Sequence, residues 1–387
     1  MVKKVIIIHS RLEILGGAER VFLEIVEVVK SLGLDIEVIT MYKPLIRVGV
    51  RTRYVLPKFV KGIPVHLRPL IPMGMIPLTF FNRASLIILS GGVDLPLYGT
   101  LIPFSTCNAV PKILYLHNIG SFTKRSITST SLFLKLYYGS YQLIYFNFLK
   151  LLRDLTLHTS SLLLCNSNST RKKLKNIYPN LDCIVVYPPV NTRLFSKVRR
   201  LANRKKLIVT IARIDPAKNL ESVIEVAKKL VKRERDVKFI IIGFLHKQFE
   251  WYYKELIRKI KSEDLENNVK VVPGAARRQT LYYLARAKLY FHPPVAEGFG
   301  VSIVEAMSAG VIPVVWDFGG PRETVPAKYR YRNLEEASSM IENLINQELK
   351  DESERVSHIA EKFSRERFKN TMKKIILRIY DGEQHVK

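Results

Sequence analysis

Short runs of β-branched and aliphatic residues recur along this chain with helical patterns between them, and few folds accept that alternation. The first series is "KVIII" at 4–8, "DIEVIT" at 35–40, "SLIIL" at 85–89, "KILYL" at 112–116, "LLLC" at 162–165 and "CIVVY" at 183–187. A second series follows at 206–211, 237–242, 269–272, 288–292 and 311–315. Helical segments lie between them, for example 18–32, 168–176, 219–233, 250–263 and 278–286. Strands that are apolar on both faces and separated by helices build parallel sheets covered on both sides. One sheet rarely holds so many strands, so the expected fold class is α/β, with two doubly wound Rossmann-like domains in tandem. A length of 387 residues suits two domains.

The break falls between the two series. "YPPVNTRLFSKVRRLANRKKL" (187–207) has a proline pair and then a basic run, which predicts an exposed linker. The expected boundaries are 1–195 for the first domain, 196–365 for the second, and 366–387 for a C-terminal helix that crosses back to the first.

A net charge of +28 calls for an anionic partner or surface. The charge is uneven: between Glu37 and Asp154 the only acid is Asp94, against fourteen Lys and Arg. The same region is rich in Pro, Ile, Leu, Phe and Tyr, a mixture that suits docking on lipid headgroups with apolar groups among the acyl chains. Lys124, Arg125, Lys135 and Lys150 are the expected docking cations. "SLFLKLYYGSYQLIYFNFLKLL" (131–152) carries Lys135, Gln142, Asn147 and Lys150, an interfacial pattern rather than a spanning one. No groove-reading or base-stacking module stands out, so nucleic acid is not an expected partner. The opening "MVKKVIIIHS" has too short an apolar run for a secretory signal and reads as a buried strand. Cys107, Cys165 and Cys183 form no CxxC pair and no metal-ligand spacing, so reduced, buried thiols of a cytosolic protein are expected.

The chemistry concentrates in "AEGFGVSIVEAMSAG" (296–310). A strand ends at "HPP", an irregular loop follows, and a helix runs from Val301 until Gly310 stops it. Gly298 and Gly300 bare the main chain at a helix start, where free amides and the helix dipole attract anions. Glu297 precedes that point and Glu305 lies more than a turn inside the helix. Two acceptor carboxylates flanking an anion site match a sugar nucleotide, with hydroxyls on the hexose at one end and on the ribose at the other. "TIARIDPAKNLESV" (210–223) places Arg213 and Lys218 after a strand on the same sheet edge, where a guanidinium fork and a compact ammonium suit a diphosphate. In the first domain, Gly16 and Gly17 separate the first strand from its helix without forming GxGxxG, which argues against a nicotinamide enzyme. His117, in "KILYLHNIG", closes a strand at the corresponding edge.

The ordered set "GGAER", "YLH", "NSNST" (166–170), "VYPPVNTRLF", "ARIDPAKNL", "AEGFGVSIVEAMSAG" and "GGPRETV" (319–325) resembles the retaining glycosyltransferases of the GT-B fold. The resemblance is to the family containing sucrose synthases and the phosphatidylinositol and dolichol-linked mannosyltransferases. Within it, the chain looks most like the α-1,2-mannosyltransferases that extend the dolichol-linked oligosaccharide, and their archaeal relatives. It implies two Rossmann-like domains facing across a cleft, and transfer of a hexose, with mannose from GDP-mannose expected and a UDP-sugar the alternative. The implied acceptor is a lipid-linked glycan at the cytoplasmic face of a membrane, where the protein would sit peripherally. The resemblance implies that His117, Arg213, Lys218 and Glu297 carry the reaction. Gly16, Gly17, Arg213, Lys218, Glu297, Gly298, Phe299, Gly300, Val301 and Glu305 would bind the donor. Glu297 would hold the hexose near its 3- and 4-hydroxyls, Glu305 the ribose, and His117 the 6-hydroxyl. The family usually needs no metal or other cofactor, and no DxD motif is present. Rival readings are a GT-B-fold epimerase, which would turn over donor without acceptor, a pyridoxal-phosphate phosphorylase, and a basic nucleic-acid-binding scaffold.

Overall fold

A computed structural model describes residues 4–9, 12, 16–40, 48–54, 84–91, 110–117, 119, 150–151, 153–200 and 203–380. Two compact units divide the chain, Met1–Tyr187 with Phe368–Lys387, and Pro188–Arg367.

The first unit is built on a seven-stranded sheet. Its strands are β1 (Lys4–His9), β2 (Asp35–Thr40), β3 (Arg51–Tyr54), β4 (Leu86–Gly91), β5 (Lys112–Leu116), β6 (Leu162–Cys165) and β7 (Ile184–Val185). They run in the order β3-β2-β1-β4-β5-β6-β7, and every pairing is parallel. Val5 to Ile8 are fully buried, as a central strand covered on both faces requires. Helix α1 (Gly17–Ser31) lays Val21, Phe22, Ile25, Val28 and Val29 on the sheet, and α2 (Asn168–Ile177) follows β6. The expected strand at 183–187 shortens to Ile184–Val185, and β3, with only four residues and two arginines, escaped the apolar pattern.

The second unit has a six-stranded parallel sheet in the order β10-β9-β8-β11-β12-β13. Its elements begin with α3 (Thr192–Arg200) and β8 (Lys205–Ile211), then α4 (Glu221–Val231), β9 (Lys238–Gly243), α5 (Glu250–Ser262) and β10 (Val269–Pro273). After these come α6 (Arg277–Arg286), β11 (Ala287–His292), α7 (Val301–Ser308), β12 (Ile312–Trp316), α8 (Pro321–Thr324), β13 (Arg330–Tyr331), α9 (Leu334–Asn346) and α10 (Lys350–Ala360). The last helix, α11 (Arg365–Tyr380), begins in this unit and sends Phe368, Met372, Ile375 and Ile376 into the core of the first, beside Val5, Ile7 and Tyr115.

In each sheet the first strand in sequence lies in the middle, and the winding reverses beside it, between β1 and β4 and between β8 and β11. Those reversals open crevices at the strands' carboxyl ends, the place where doubly wound folds bind ligands.

Two expectations are corrected. The segment 187–207 is not an exposed linker: residues 192–200 form α3, whose Phe195 is fully buried and whose Val198 is nearly so. The basic residues of that helix hid its apolar stripe. Cys165 and Cys183 are not reduced thiols but a disulfide, with Cα atoms 5.8 Å apart. β6 pairs with β7 in a register that sets Cys165 opposite Val185, so Cys183, two residues before Val185, reaches Cys165 diagonally across the pair. A spacing of eighteen carries no such signal in sequence. Cys107 lies outside the described residues.

Candidate active site

The second unit collects Arg213, Lys218, Glu297, Gly298, Phe299, Gly300, Val301 and Glu305 on the carboxyl side of its sheet, around the β8/β11 reversal. After β8 the chain makes a tight turn at Pro216–Lys218, and Asp215 caps it by accepting the Ala217 amide at 3.0 Å. Asp215 is buried and holds Arg213, whose Nε lies 3.3 Å from Oδ2, while the arginine side chain stays mostly open to solvent. The same turn delivers Lys218 toward the end of β11. Its Nζ lies 3.1 Å from Glu297 Oε2, both side chains being about one-fifth exposed at 21%. The expected diphosphate cation and the expected hexose carboxylate are thus salt-bridged to each other.

Glu297 has a second neighbour that the sequence did not mark. His292, the last residue of β11, is buried, and its Nε2 faces Glu297 Oε2 at 3.6 Å, just beyond hydrogen-bond length. Its Nδ1 meets the Tyr290 hydroxyl at 3.2 Å, and that hydroxyl also reaches Ser302 Oγ at 2.8 Å. Burial works against ionisation of Glu297, yet the facing His292 and the Lys218 ammonium outweigh it and hold the carboxyl well below the usual carboxylate range. Burial pushes His292 the other way, keeping its imidazole below the ordinary value despite Glu297. At neutral pH the pair is therefore a carboxylate beside a neutral imidazole.

The loop bearing Glu297 is held from below by main chain. The Gly320 amide donates to the Glu297 carbonyl at 2.9 Å. A Cβ at Gly319 would lie 2.4 Å from that carbonyl oxygen, and one at Gly320 would lie 2.2 Å from the Gly298 oxygen. Gly319 also has φ +71°, in the region that favours glycine. Gly300, with φ +87°, opens α7, whose first amides point out of the helix as an anion site. The Phe299 ring anchors the loop against Phe363, with centroids 5.3 Å apart. Gly310 ends the helix with φ +71°, its amide donating to Met307. Glu305 is buried on α7, and Arg277 Nη1 lies 3.0 Å from its Oε1. Neither Arg277 nor the 319–320 contact was read from the sequence. "GGPRE" was noticed only as a motif, and its fit under Glu297 depends on β12 lying next to β11.

The first unit places Gly16, Gly17 and His117 at the carboxyl ends of β1 and β5. Gly16 donates its amide to Glu19 Oε2 at 3.0 Å, and Glu19 Oε1 faces His9 Nε2 at 3.9 Å. The Gly16 amide is thus engaged by its own helix, and the exposed Gly17 is the glycine that leaves main chain approachable. His9 Nδ1 donates to the Ser90 carbonyl, and Ser90 Oγ lies 3.4 Å from His117 Nε2. Burial, with the nearby His9, pushes His117 down to about 3, so it is a neutral imidazole fit for hydrogen bonding rather than for donating a proton as an acid. The "NSNST" stretch explains itself here: Asn166 donates to the His117 carbonyl at 2.6 Å, and Ser167 caps α2 by accepting the Thr170 amide. Of the expected docking cations, Lys150 is exposed, whereas Lys124, Arg125 and Lys135 lie outside the described residues. Among the described residues no group of acids, histidines and cysteines is arranged to hold a metal.

Taken together, the second unit offers a permanent carboxylate, two cations and bared main chain within one loop system. That set can grip a diphosphate and orient a polyol beside it, and the cations can neutralise a phosphate as it leaves.

Comparison with known proteins bears on the fold and on the second unit. Residues 191–367 match the family described as "Glycosyl transferases group 1". The chain is 27% identical over 198 residues to a GDP-Man:Man(3)GlcNAc(2)-PP-Dol alpha-1,2-mannosyltransferase of Dictyostelium discoideum, an alignment covering 48% of this chain and 39% of that protein. The chain thus spans well under half the length of the curated relatives it matches. Among solved structures it is similar to HepE of Anabaena in complex with UDP, with a TM-score of 0.72 at 20% identity, covering 98% of this chain and 100% of the other. It is equally similar in fold to a sucrose-phosphate synthase from Thermosynechococcus elongatus, with a TM-score of 0.72 at 13% identity, covering 98% and 100%. The fold is that of the GT-B glycosyltransferases, and the stretch that matches the glycosyl transferases group 1 family, residues 191–367, contains the Lys218–Glu297 pair.

Proposed function

We propose that this chain is a retaining glycosyltransferase that moves mannose from GDP-mannose onto a lipid-linked glycan at the cytoplasmic face of a membrane. The observation that carries the reading is the Lys218–Glu297 pair at the mouth of α7, with Arg213, held by Asp215, in the same stretch after β8 as Lys218. Arg213 and Lys218 would take the diphosphate, the amides at Gly298–Val301 would face the phosphate or hexose, and Glu297 would accept hexose hydroxyls. In the first unit, Gly17 and His117 are the residues proposed to contact a sugar nucleotide. Bond breaking would lead, and the departing phosphate oxygen would take the proton of the acceptor hydroxyl on the same face. This needs no metal and no enzymatic base, and the neutral His117 is consistent with a hydrogen-bonding role toward the sugar. Mannose and a dolichol-linked acceptor are favoured by the likeness to the Dictyostelium enzyme. A UDP-sugar is the second reading, favoured by the likeness to HepE, whose structure holds UDP. The proposed docking on that membrane would use Lys124, Arg125, Lys135 and Lys150; no helix among the described residues is long and apolar enough to cross a membrane.

Thermal unfolding in the presence of GDP, UDP and ADP, each with and without its hexose, tests the donor. Stabilisation by GDP-mannose above GDP, and transfer of labelled mannose to a short-chain lipid-linked oligosaccharide, are expected. Stabilisation by UDP alone would replace mannose with the second reading. Turnover of donor without acceptor into another sugar nucleotide would overturn transfer itself.

A further inference from the structure

Glu305 is an awkward residue to find where it is. It is only 3% exposed, on a helix whose other buried positions are Ile303, Val304, Ala306, Met307 and Ser308. A carboxylate taken out of water needs a partner, and one that must accept two neighbouring hydroxyls must also be held in a fixed plane. Arg277 supplies the partner: its Nη1 lies 3.0 Å from Glu305 Oε1.

Arg277 is itself oddly placed. It is the first residue of α6 and is followed by Arg278, so two cations and no acid open a helix whose dipole disfavours positive charge there. Local helix energetics do not call for arginine at this point. The guanidinium carbon lies 4.6 Å from the centre of the Phe195 ring, and Phe195 is fully buried on α3. Three helices, α3, α6 and α7, therefore meet at one planar group, with an aromatic face on one side and a carboxylate at its edge. A lysine could neutralise Glu305 but would bring no planar, forked group over Phe195 to fix the plane of the carboxylate.

We infer that Arg277 is the positioning residue for Glu305, orienting its carboxylate toward the ribose hydroxyls of the nucleotide, with Phe195 fixing Arg277 in turn. The inference rests on the proposed role of Glu305 as the ribose acceptor. It makes discrimination for the 2′-hydroxyl a property of a three-residue stack, Phe195–Arg277–Glu305, rather than of the acid alone. Arg277→Lys keeps the charge and relaxes the plane, whereas Arg277→Gln removes both.

The test compares binding of GDP with 2′-deoxy-GDP, and of UDP with 2′-deoxy-UDP, by calorimetry in the full chain. In the wild type the deoxy compound of the preferred pair should bind about tenfold or more weakly, the loss expected for hydrogen bonds to a charged acceptor. In Arg277→Lys that ratio should fall to about threefold or less, while affinity for the deoxy compound changes little. Thermal unfolding establishes that the variant is folded, and Phe195→Leu, which leaves both charges in place, should move the ratio in the same direction. A folded Arg277→Lys or Phe195→Leu variant that keeps the wild-type ratio overturns the positioning role alone. A wild-type ratio near one instead overturns the assignment of Glu305 to the ribose.

Discussion

Replacing Glu297 by glutamine should make the protein bind a bare nucleoside diphosphate more tightly while ending transfer. Lys218 spends the ligand-free state on Glu297, 3.1 Å away, and an incoming diphosphate must compete for that ammonium. Exposed pairs contribute up to about 1 kcal/mol, and hydrogen bonds to charged groups about 1.5–3 kcal/mol. With both side chains about one-fifth exposed at 21%, a net value near the lower end, about 1 kcal/mol, is appropriate. Removing the competitor should therefore tighten GDP or UDP about fivefold, and losing a negative charge beside the anion acts in the same direction. The hexose has the opposite sign. Without the carboxylate it loses charge-assisted hydrogen bonds, so the sugar nucleotide should lose its advantage over the bare nucleotide and the transfer rate should fall about a hundredfold. Titration calorimetry with GDP, UDP and their sugars on wild type and Glu297→Gln reads both effects at once. If the variant is folded and binds the bare nucleotide no more tightly than wild type, the Lys218–Glu297 pair does not gate the diphosphate and the reasoning is wrong.

Gly320→Ala should destabilise the protein by about 1–3 kcal/mol, because its Cβ would meet the Gly298 oxygen at 2.2 Å. Thermal unfolding checks it, at about 2–4 °C for each kcal/mol. An unaltered midpoint would mean the 297–299 loop yields freely. Stability should also fall as pH drops below 6.5, the ordinary histidine value: the unfolded chain then protonates His117, whereas the folded chain resists until about 3. The slope from this one residue approaches about 1.4 kcal/mol per pH unit, and denaturant titrations of His117→Asn between pH 7 and 4 should show it removed. Reducing Cys165–Cys183, or Cys183→Ser, should cost about 3 kcal/mol, the chain-entropy value for a loop of eighteen residues. A denaturation midpoint indifferent to reductant would refute the pairing.

The parallel sheets were legible because their central strands are buried on both faces and so read as unbroken apolar runs, as in Val5–Ile8 and Phe239–Ile242. The short edge strands β3 and β13 were not, since Arg51–Tyr54 and Arg330–Tyr331 carry no such run. Arg213, Lys218, Glu297 and Glu305 could be listed because each follows a strand in a motif with its own spacing. Their partners could not. His292 stood at the end of a strand, Arg277 belonged to no motif, and Phe195 fell within the expected linker. Each takes its meaning from an element brought beside it by sheet order, and sheet order is not a local property of the chain. The disulfide was missed for the same reason, with a further misdirection from the sparse cysteine count. The diphosphate and hexose groups were visible as residue types, whereas the Lys218–Glu297 salt bridge, which changes what each does before a ligand arrives, is visible only in three dimensions.

The glycine pair beneath Glu297 limits how this protein can diversify. With backbone of 319–320 lying directly against backbone of 297–299, there is no side chain on that side whose exchange could reshape the sugar pocket. A variant with a new hexose preference would have to be found instead among the exposed Val295 and Ala296, where substitutions meet solvent rather than peptide. Libraries aimed at altered donors should therefore leave positions 319 and 320 fixed and randomise the outward rim.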